Sequence, residues 1–477
     1  MLNPSIEPLL SEASNAANLI RSEAEKGSYI LILSHFDADG LAAAGILGKA
    51  LVRLDASFHI RILKRLDQLS VDKSVAEGSD LIIFSDIGSG YLDLVGRSLM
   101  KRKVVILDHH QPIGKLSSNV THVNPHTHGF DGARDISGAG VAYLVAKSIE
   151  ASNVDLSTLA IVGALGDMQD KSDKRSLHGL NEIIVDDAVK AGLLKVETDL
   201  VFYGRETRPL HKALAYTTNP FLPGLTGKED ECLALLASVK IPLKHDGKWR
   251  ALADLSTEEK QTLLSKIIEY IAMKGFPGKV ALNLIGTVYT LLREERWTPT
   301  RDAREYSSLL NACGRMDKPS LALAVCMGER GGLIDEVQRI IGQYRKTLAQ
   351  CMEWLTETPD RMKELEALYV IHGGEVIDEN MTGAISSILP ATGLLEPNKA
   401  IIVIAKTEEG DMKISARATE YLLEKGVNLG AALQELAKKY SGTGGGHDVA
   451  AGAQIPGGLE DKFIRDINEV ILKQIRR

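Results

Sequence analysis

A chain of 477 residues exceeds what one ordinary domain holds, so two to four domains are expected. A hydrophobic fraction of 44% and a charged fraction of 25% are those of a soluble globular protein, and no apolar stretch reaches bilayer-spanning length. A net charge of −7 argues against a protein that coats polyanions, yet leaves room for a local basic channel and for acidic metal ligands.

The N-terminus lacks the basic start and apolar core of a signal peptide, so a cytoplasmic protein is expected. Residues 5–25 instead read as an amphipathic helix with Ile6, Leu9, Leu10, Ala13, Ala16, Leu19 and Ile20 on one face. "SYILILS" (28–34) is a buried-strand signal, and "GLAAAGILGKALVRLD" (40–55) reads as a helix rich in small residues. "FHIRIL" (58–63), "SDLIIFSDIG" (79–88) and "KVVILDHHQP" (103–112) are further strands, with a helix from Tyr91 to Lys101. Strands alternating with helices predict an α/β fold: a parallel sheet with helices on both faces. Helices follow at 137–152, at 155–170 and on to about 197, with Ser137 and Asp155 as N-caps of the first two.

From 216 the character changes. "TTNPFLPGLTG" is loop-like, and helical segments at 256–275 and 302–315 suggest an inserted, mostly helical subdomain over 216–330. Residues 331–358 carry the period of a connecting helix. Alternation then resumes over 359–477: "ALYVIHGG", "AIIVIAKT" and "MKISAR" are strands, 429–442 a helix, and "GTGGGHD" a glycine-rich loop. The first domain is thus placed at 1–215. The four cysteines lie far apart and read as buried free thiols.

Polar clusters recur just past strand ends, the ligand-binding edge of an open parallel sheet. They are His35, Asp37 and Asp39; Asp86; Asp108, His109 and His110; and, beyond the strands, Asp167. Singly, each reads as a cap or turn residue. Together, several carboxylates in one cleft repel unless a cation holds them, and their mixture with imidazoles suits Mn²⁺ or a similar ion. Two such ions about 3.5–4 Å apart would clamp a phosphodiester. We expect His35, Asp37 and Asp39 to share one side of an extended segment by alternation. The histidines of "THVNPHTHG" (121–129) read as loop residues. Gly444, Gly445 and Gly446 let backbone N–H groups approach an anion, with His447 beside them, and Arg417 is a candidate phosphate clamp.

"SHFDADG", "SDIG", "LDHH" and "GALGD", followed late in the chain by "GGGHDVAAGA", resemble the DHH phosphoesterase superfamily with its DHHA1 C-terminal domain. "YGRETRPL" (203–210) and "EYSSLLNACGRMDKPSLALAVCMG" (305–328) are similar to the archaeal RecJ-like single-strand nucleases. The resemblance implies that His35, Asp37 and Asp86 hold one Mn²⁺ or Mg²⁺ ion. Asp39, Asp86, His109 and Asp167 hold a second, with Asp86 bridging. Asp108 and His110 are implied to support the site or contact phosphate, and Arg417 and His447 with its glycines to grip the substrate backbone. The implied activity is stepwise hydrolysis of single-stranded DNA or RNA by in-line attack of an activated water. The implied partners are the GINS complex or a repair helicase, with no membrane. Candidates for substrate contact in the insert are Arg205, Arg208, Lys212, Arg293, Arg296, Trp297, Arg301, Arg304 and Arg315, although Glu294, Glu295 and Asp302 interleave them. The chain departs from the bacterial branch at His35, where aspartate is usual. It departs from the small-molecule members at Leu33, where they carry histidine, and this favours the nuclease branch. Two other readings stay open: a small-molecule phosphoesterase, and a replisome scaffold whose nuclease activity is secondary.

Overall fold

Short β-branched runs followed by polar turns become a five-stranded, wholly parallel sheet. It comprises β1 (Ile30–His35), β2 (Phe58–Leu63), β3 (Leu81–Ser85), β4 (Lys103–Leu107) and β5 (Val120–Val123), in the order β2-β1-β3-β4-β5. The computed structural model describes residues 5–476 apart from 173, 218, 219, 221, 277, 358–360, 393 and 394. Within this range the chain forms two compact units, 1–338 and 339–477. Part of the loop expected at "TTNPFLPGLTG" lies outside the described residues.

In the first unit, α1 (Glu7–Glu25), α2 (Ala38–Arg53), α3 (Gln68–Ala76), α4 (Leu92–Ser98) and α5 (Gly138–Ile149) cover the sheet, α6 (Ser157–Gly166) packs on α2 and α5, and α7 (Leu180–Lys190) packs on α6. Alternation puts Leu31, Leu33, Ile82, Phe84, Val104 and Ile106 in one core with Val71, Leu92 and Val95 of α3 and α4. The opposite face packs against α1, α2 and α5. The small residues of α2 permit this: Ala42, Ala43, Ala44 and Ile46 are fully buried. The chain leaves β1 for one neighbour and returns to the other, so a crevice opens beyond the carboxyl ends of β1 and β3.

Residues 200–284 build a core of their own. It contains α8 (Leu210–Tyr216), α9 (Glu229–Ser238), a hairpin of β7 (Lys244–His245) and β8 (Lys248–Trp249), α10 (Thr257–Met273) and α11 (Lys279–Leu282). An antiparallel ribbon of β6 (Leu194–Leu200) and β9 (Ile285–Leu291) closes its base. The helix expected to reach about 197 therefore ends at Lys190. Gly192 turns the chain at φ 68°, and β6 finds its partner some ninety residues later, a pairing that no local period signals. The next helices, α12 (Ala303–Arg315) and α13 (Pro319–Met327), pack back on α2 and α6.

Two further expectations are corrected here. Asp155 does not cap α6; it sits in a 3-10 turn, and its carboxylate receives two hydrogen bonds from Arg53, at 2.8 and 2.6 Å. "VTHV", read as loop, is edge strand β5, a run too short and too half-buried to carry a clear period. Ser137 does cap α5, accepting from Gly140 N–H at 3.2 Å.

The second unit begins within the long helix α14 (Gly332–Glu357). Its mixed sheet runs β10 (Met362–Glu364), β11 (Leu368–His372), β12 (Ala400–Lys406), β13 (Met412–Arg417), β15 (Ala450–Ile455) and β14 (Thr443–Gly446). Tyr344, Leu348 and Met352 of α14 pack on one face with Ile385 of α15 (Thr382–Ile388). The other face carries α16 (Glu420–Glu424), α17 (Leu429–Lys439) and α18 (Glu460–Ile475). The glycine-rich segment expected as a loop is edge strand β14. Glycine is required there because a Cβ on Gly446, at φ 136°, would lie 2.6 Å from Ala450 O, and one on Gly444 2.9 Å from Leu433 O of α17. All four cysteines are buried free thiols, and burial pushes Cys232, Cys313 and Cys326 up to about 12. Among the described residues, no helix is long and apolar enough to cross a membrane.

Candidate metal centre and catalytic site

The carboxyl ends of β1, β3 and β4 and the end of α6 deliver their polar residues to one crevice. Single ligand atoms of His35, Asp37 and Asp86 lie within 4.8 Å of one another, as do those of Asp39, His109 and Asp167, and those of Asp86, Asp108, His109 and His110. His109 Nε2 is 3.2 Å from Asp86 Oδ1, 3.3 Å from Asp167 Oδ2 and 3.7 Å from Asp39 Oδ2. His35 Nδ1 is 2.9 Å from Asp37 Oδ2 and 3.8 Å from Asp86 Oδ2. Asp86 therefore stands between both groups.

Each side chain is aimed by local structure. β1 ends at His35, and α2 begins at Ala38, with Asp37 as its N-cap accepting from Gly40 N–H at 3.1 Å. Asp39 thus reaches the site from the first turn of a helix and not by strand alternation, which corrects the expected reason for its placement. Its carboxylate accepts from Gly138 N–H at 2.6 Å and Ala139 N–H at 3.0 Å, the N-terminal donors of α5. Asp86 takes the left-handed conformation at φ 57°, which lets its N–H bond Leu107 O at 2.9 Å while the side chain turns into the crevice. Asp108 accepts from the N–H groups of Ser89 at 2.7 Å, His109 at 2.8 Å and His110 at 3.2 Å, and pairs with His110 Nδ1 at 2.8 Å.

The electrostatics match a cation cradle. Burial, then the charges of Asp39 and Asp37, push the Asp86 carboxyl well above its ordinary range. Burial raises Asp39 as well, against the pull of His109. Burial and the charge of Asp39 push Asp167 up to about 7. Burial alone would depress the His109 imidazole, but Asp86, Asp167 and Asp39 hold it well above its ordinary value. Burial also works against the Asp37 and Asp108 carboxylates, yet His35 keeps the first low and His110 the second. Asp86 Oδ1 is sealed from solvent and receives no hydrogen bond of normal geometry, the state of an oxygen built to meet a cation. Imidazole and carboxylate donors of this kind fit Mn²⁺ or Mg²⁺.

Several supporting residues escape sequence reading. Asn311 of α12 accepts from Ala38 N–H at 3.1 Å, between the two aspartates of the first cluster. A Cβ on Gly314 would lie 2.0 Å from Phe36 O, so only glycine lets α12 sit against that loop. Gly314→Ala is expected to destabilise the protein by about 1–3 kcal/mol in urea titrations, the usual cost of overpacking. An unchanged midpoint would show that the close approach is dispensable. Asn124 Nδ2 bonds Ser89 Oγ and His110 O, both at 2.9 Å, and His122 Nε2 meets Ser89 Oγ at 2.9 Å. His122, read as a loop residue, thus belongs to the support of the Asp108 and His110 pair.

Of the basic candidates, the structure withdraws three. Arg205 is buried against Asp199 and Glu206; Arg304 pairs with Asp170 at 2.7 Å and bonds two main-chain carbonyls; Arg301 bonds Glu294 O and lies 3.8 Å from Glu206. Arg208 lies between the rings of Tyr203 and Tyr216, Lys212 is 4.0 Å from Glu229, and Arg296 is 3.3 Å from Asp254. Trp297 is exposed, Arg315 ends α12, and Arg293 precedes the Glu294–Glu295 pair. In the second unit, Arg417 pairs with Ala450 across the sheet and donates to Ser387 Oγ at 2.7 Å, while Gly446 pairs with Ala451. Arg417, Gly444, Gly445, Gly446 and His447 therefore share one region of that sheet.

Comparison with known proteins agrees with this architecture. The profile described as "DHH family, N-terminal domain" matches residues 29–165, "DHH-CID domain" residues 202–285 and "DHHA1 domain" residues 367–473. An uncharacterized protein of Methanocaldococcus jannaschii is 33% identical over 456 residues, covering 94% of each chain. The single-stranded-DNA-specific exonuclease RecJ of Thermus thermophilus is 29% identical over 194 residues, which are 38% of this chain and 27% of that protein. The Mn²⁺ complex of RecJ from that organism superposes with a TM-score of 0.58 at 19% identity, over 97% of this chain and 55% of that one. This chain thus spans about half the length of the solved RecJ. CDC45 from Entamoeba histolytica superposes with a TM-score of 0.63 at 14% identity, over 97% and 99% of the two chains. The metal-binding geometry, the three matching domains and the near full-length relative lead to one conclusion: the chain belongs to the DHH family, with a DHHA1 domain at its C-terminus and a fold like that of RecJ.

Proposed function

We propose that the protein is a metal-dependent exonuclease that hydrolyses single-stranded DNA or RNA to nucleoside monophosphates, in DNA replication or repair in the cytoplasm. The observation that carries the reading is the meeting of His35, Asp37, Asp39, Asp86, His109 and Asp167 around one crevice at the carboxyl edge of the sheet. The fold shared with RecJ supports it.

His35, Asp37 and Asp86 would hold one divalent cation, and Asp39, Asp86, His109 and Asp167 a second. Bound there, Mn²⁺ or Mg²⁺ supplies Lewis acidity to the scissile phosphate and lowers the pKa of the attacking water. Asp108 holds the His110 ring by Nδ1. A carboxylate with three N–H donors on it only accepts, so Nδ1 carries a proton, and a second proton on Nε2 would let the ring donate to the leaving oxygen. Arg417, Gly444, Gly445, Gly446 and His447 would hold substrate phosphates, giving salt-sensitive binding with little base preference.

A second reading is a replisome component that binds the GINS complex or a repair helicase. The likeness to CDC45 supports it, and the complete set of metal ligands argues that such a role would accompany hydrolysis. One oligonucleotide labelled at either end, as DNA and as RNA, with Mn²⁺ or with chelator, tests the nuclease reading. A product ladder that needs metal is expected, and its polarity gives the direction of attack. Intact strands at every metal concentration would leave the scaffold reading in its place. Turnover of a dinucleotide without turnover of the longer strand would favour a small-molecule phosphoesterase.

A further inference from the structure

His109 is fully buried, and its Nδ1 lies 2.7 Å from the main-chain carbonyl of Gly132. A carbonyl oxygen only accepts, so Nδ1 carries a proton, and Nε2, toward Asp86 and Asp167, is the nitrogen whose lone pair the ring would offer to a metal on losing its second proton. The same carbonyl accepts a second hydrogen bond, from Gln169 Nε2 at 2.9 Å. Gln169 Oε1 in turn accepts from Asn181 Nδ2 at 2.7 Å. Because Gly132 O fixes which end of the Gln169 amide donates, it also fixes the orientation of Asn181. Both side chains are buried, at 5% and 2% exposure, where polar groups are retained only with partners.

The backbone is shaped to bring this chain of bonds to the histidine. Met168 adopts φ 57°, so the turn after α6 points Asp167 into the crevice while Gln169 folds back, its N–H on Ala164 O at 3.0 Å. Gly132 must be glycine, because a Cβ there would lie 1.8 Å from His109 O. Asn181 is tied to the same loop through its own N–H, 2.8 Å from Asp135 O.

We propose that Gln169 and Asn181 are positioning residues for His109: they pin the Gly132 carbonyl, which fixes the imidazole tautomer and aims Nε2 at the metal that His109 shares with Asp86 and Asp167. The proposal rests on the metal-binding reading above. Partners behind a metal-bound histidine typically tune metal affinity by 10–100-fold. They act here on ring orientation and not on substrate.

The test is Mn²⁺ binding to the full chain, followed by the paramagnetic signal of free Mn²⁺, for wild type, Gln169→Leu and Asn181→Leu. Gln169→Leu is expected to weaken Mn²⁺ binding by about 10–100-fold, Asn181→Leu less. In nitrogen-15 spectra of the metal-free variants, recorded at a pH high enough to deprotonate the raised His109 ring, that ring should lose its single tautomer. Excess Mn²⁺ should restore kcat in Gln169→Leu with KM for the labelled strand unchanged, which a general loss of stability would not do. Asn181→Asp keeps the size but replaces the donor by an acceptor, which draws the Gln169 amide nitrogen to itself and away from Gly132 O, so it carries the same expectation should Gln169→Leu not fold. Wild-type affinity and tautomer in the variants, with wild type binding Mn²⁺, would overturn the relay alone. Absence of Mn²⁺ binding by wild type would overturn the metal reading beneath it.

Discussion

Asp86→Asn is expected to stabilise the metal-free protein and to abolish both the Mn²⁺-induced rise in melting temperature and hydrolysis. Asp86 is buried at 2% exposure, and burial with the charges of Asp39 and Asp37 raises its carboxyl well above the ordinary range. Folding without metal therefore works against the ionised form that the unfolded chain favours, and asparagine removes that cost. With metal the balance reverses. Mn²⁺ at a hundredfold excess over its Kd adds about 2.7 kcal/mol of stability to a protein that binds it only when folded. The variant lacks the one carboxylate that stands between both ligand groups. Hydrolysis should fall at least about a thousandfold, or ~4 kcal/mol in activation free energy. Thermal melts in chelator and in Mn²⁺, with single-turnover rates on a labelled strand, measure all three effects. A metal-free variant less stable than wild type, or one that Mn²⁺ stabilises equally, would remove Asp86 from the cation site.

The second large effect is on pH. In chelator, stability should fall as pH rises from about 4 to about 7, with a slope approaching 1.4 kcal/mol per pH unit for each group that takes up a proton on folding. Asp167, raised to about 7 by burial and Asp39, is such a group. The native state keeps a proton that the unfolded state has released above the ordinary aspartate value, so stability is lost across that window. His109 is raised by its carboxylates against burial; its contribution is full below the ordinary histidine value and is lost as pH climbs through its higher folded value. Asp37 and Asp108 lie below their ordinary range, so their contributions are lost only in strong acid. Stability without metal should therefore peak in mild acid. Metal binding must expel the protons of Asp167 and His109, so apparent Mn²⁺ affinity should climb about tenfold per pH unit for each proton released. The Asp167 share of that climb should flatten above about 7. Calorimetric titrations in buffers of different protonation enthalpy count the released protons directly. Equal heats in all buffers, with a flat affinity, would contradict the assignment.

Sequence and structure divide along physical lines. The metal-site residues were legible because each lies in a local string whose strand precedes it: "SYILIL" before His35, "LIIFS" before Asp86 and "KVVIL" before Asp108. Parallel strands place such ends on one edge, so the convergence of His35, Asp37, Asp86 and His109 followed from alternation of strand and helix, whereas Asp39 joins them from the first turn of α2 and Asp167 from the end of α6. The core of α1 was legible for the same reason, since Leu9, Ala13, Ala16 and Ile20 repeat at helical spacing and are fully buried. Apart from the short strand β5, the failures are long-range or negotiated between elements. Asp155 had the chemistry of a cap, but Arg53 of α2 offers its carboxylate two charged hydrogen bonds. β6 was lost in a helical pattern because its partner β9 lies far along the chain. Arg205 and Arg304 looked like surface cations until the folded chain set Asp199 and Asp170 beside them.

By itself, then, the sequence determined which polar residues meet at the carboxyl edge, the parallel sheet that gathers them and the family to which the chain belongs. These rest on hydrophobic period and on residue type, which are local. Only the tertiary structure decided how that chemistry is held. Gly138 and Ala139 brace Asp39, Asn311 braces the loop before it, and Gly132 with Gln169 and Asn181 braces His109. Those contacts join residues up to 273 positions apart, and a buried hydrogen bond exists only once packing has excluded water and brought donor and acceptor together.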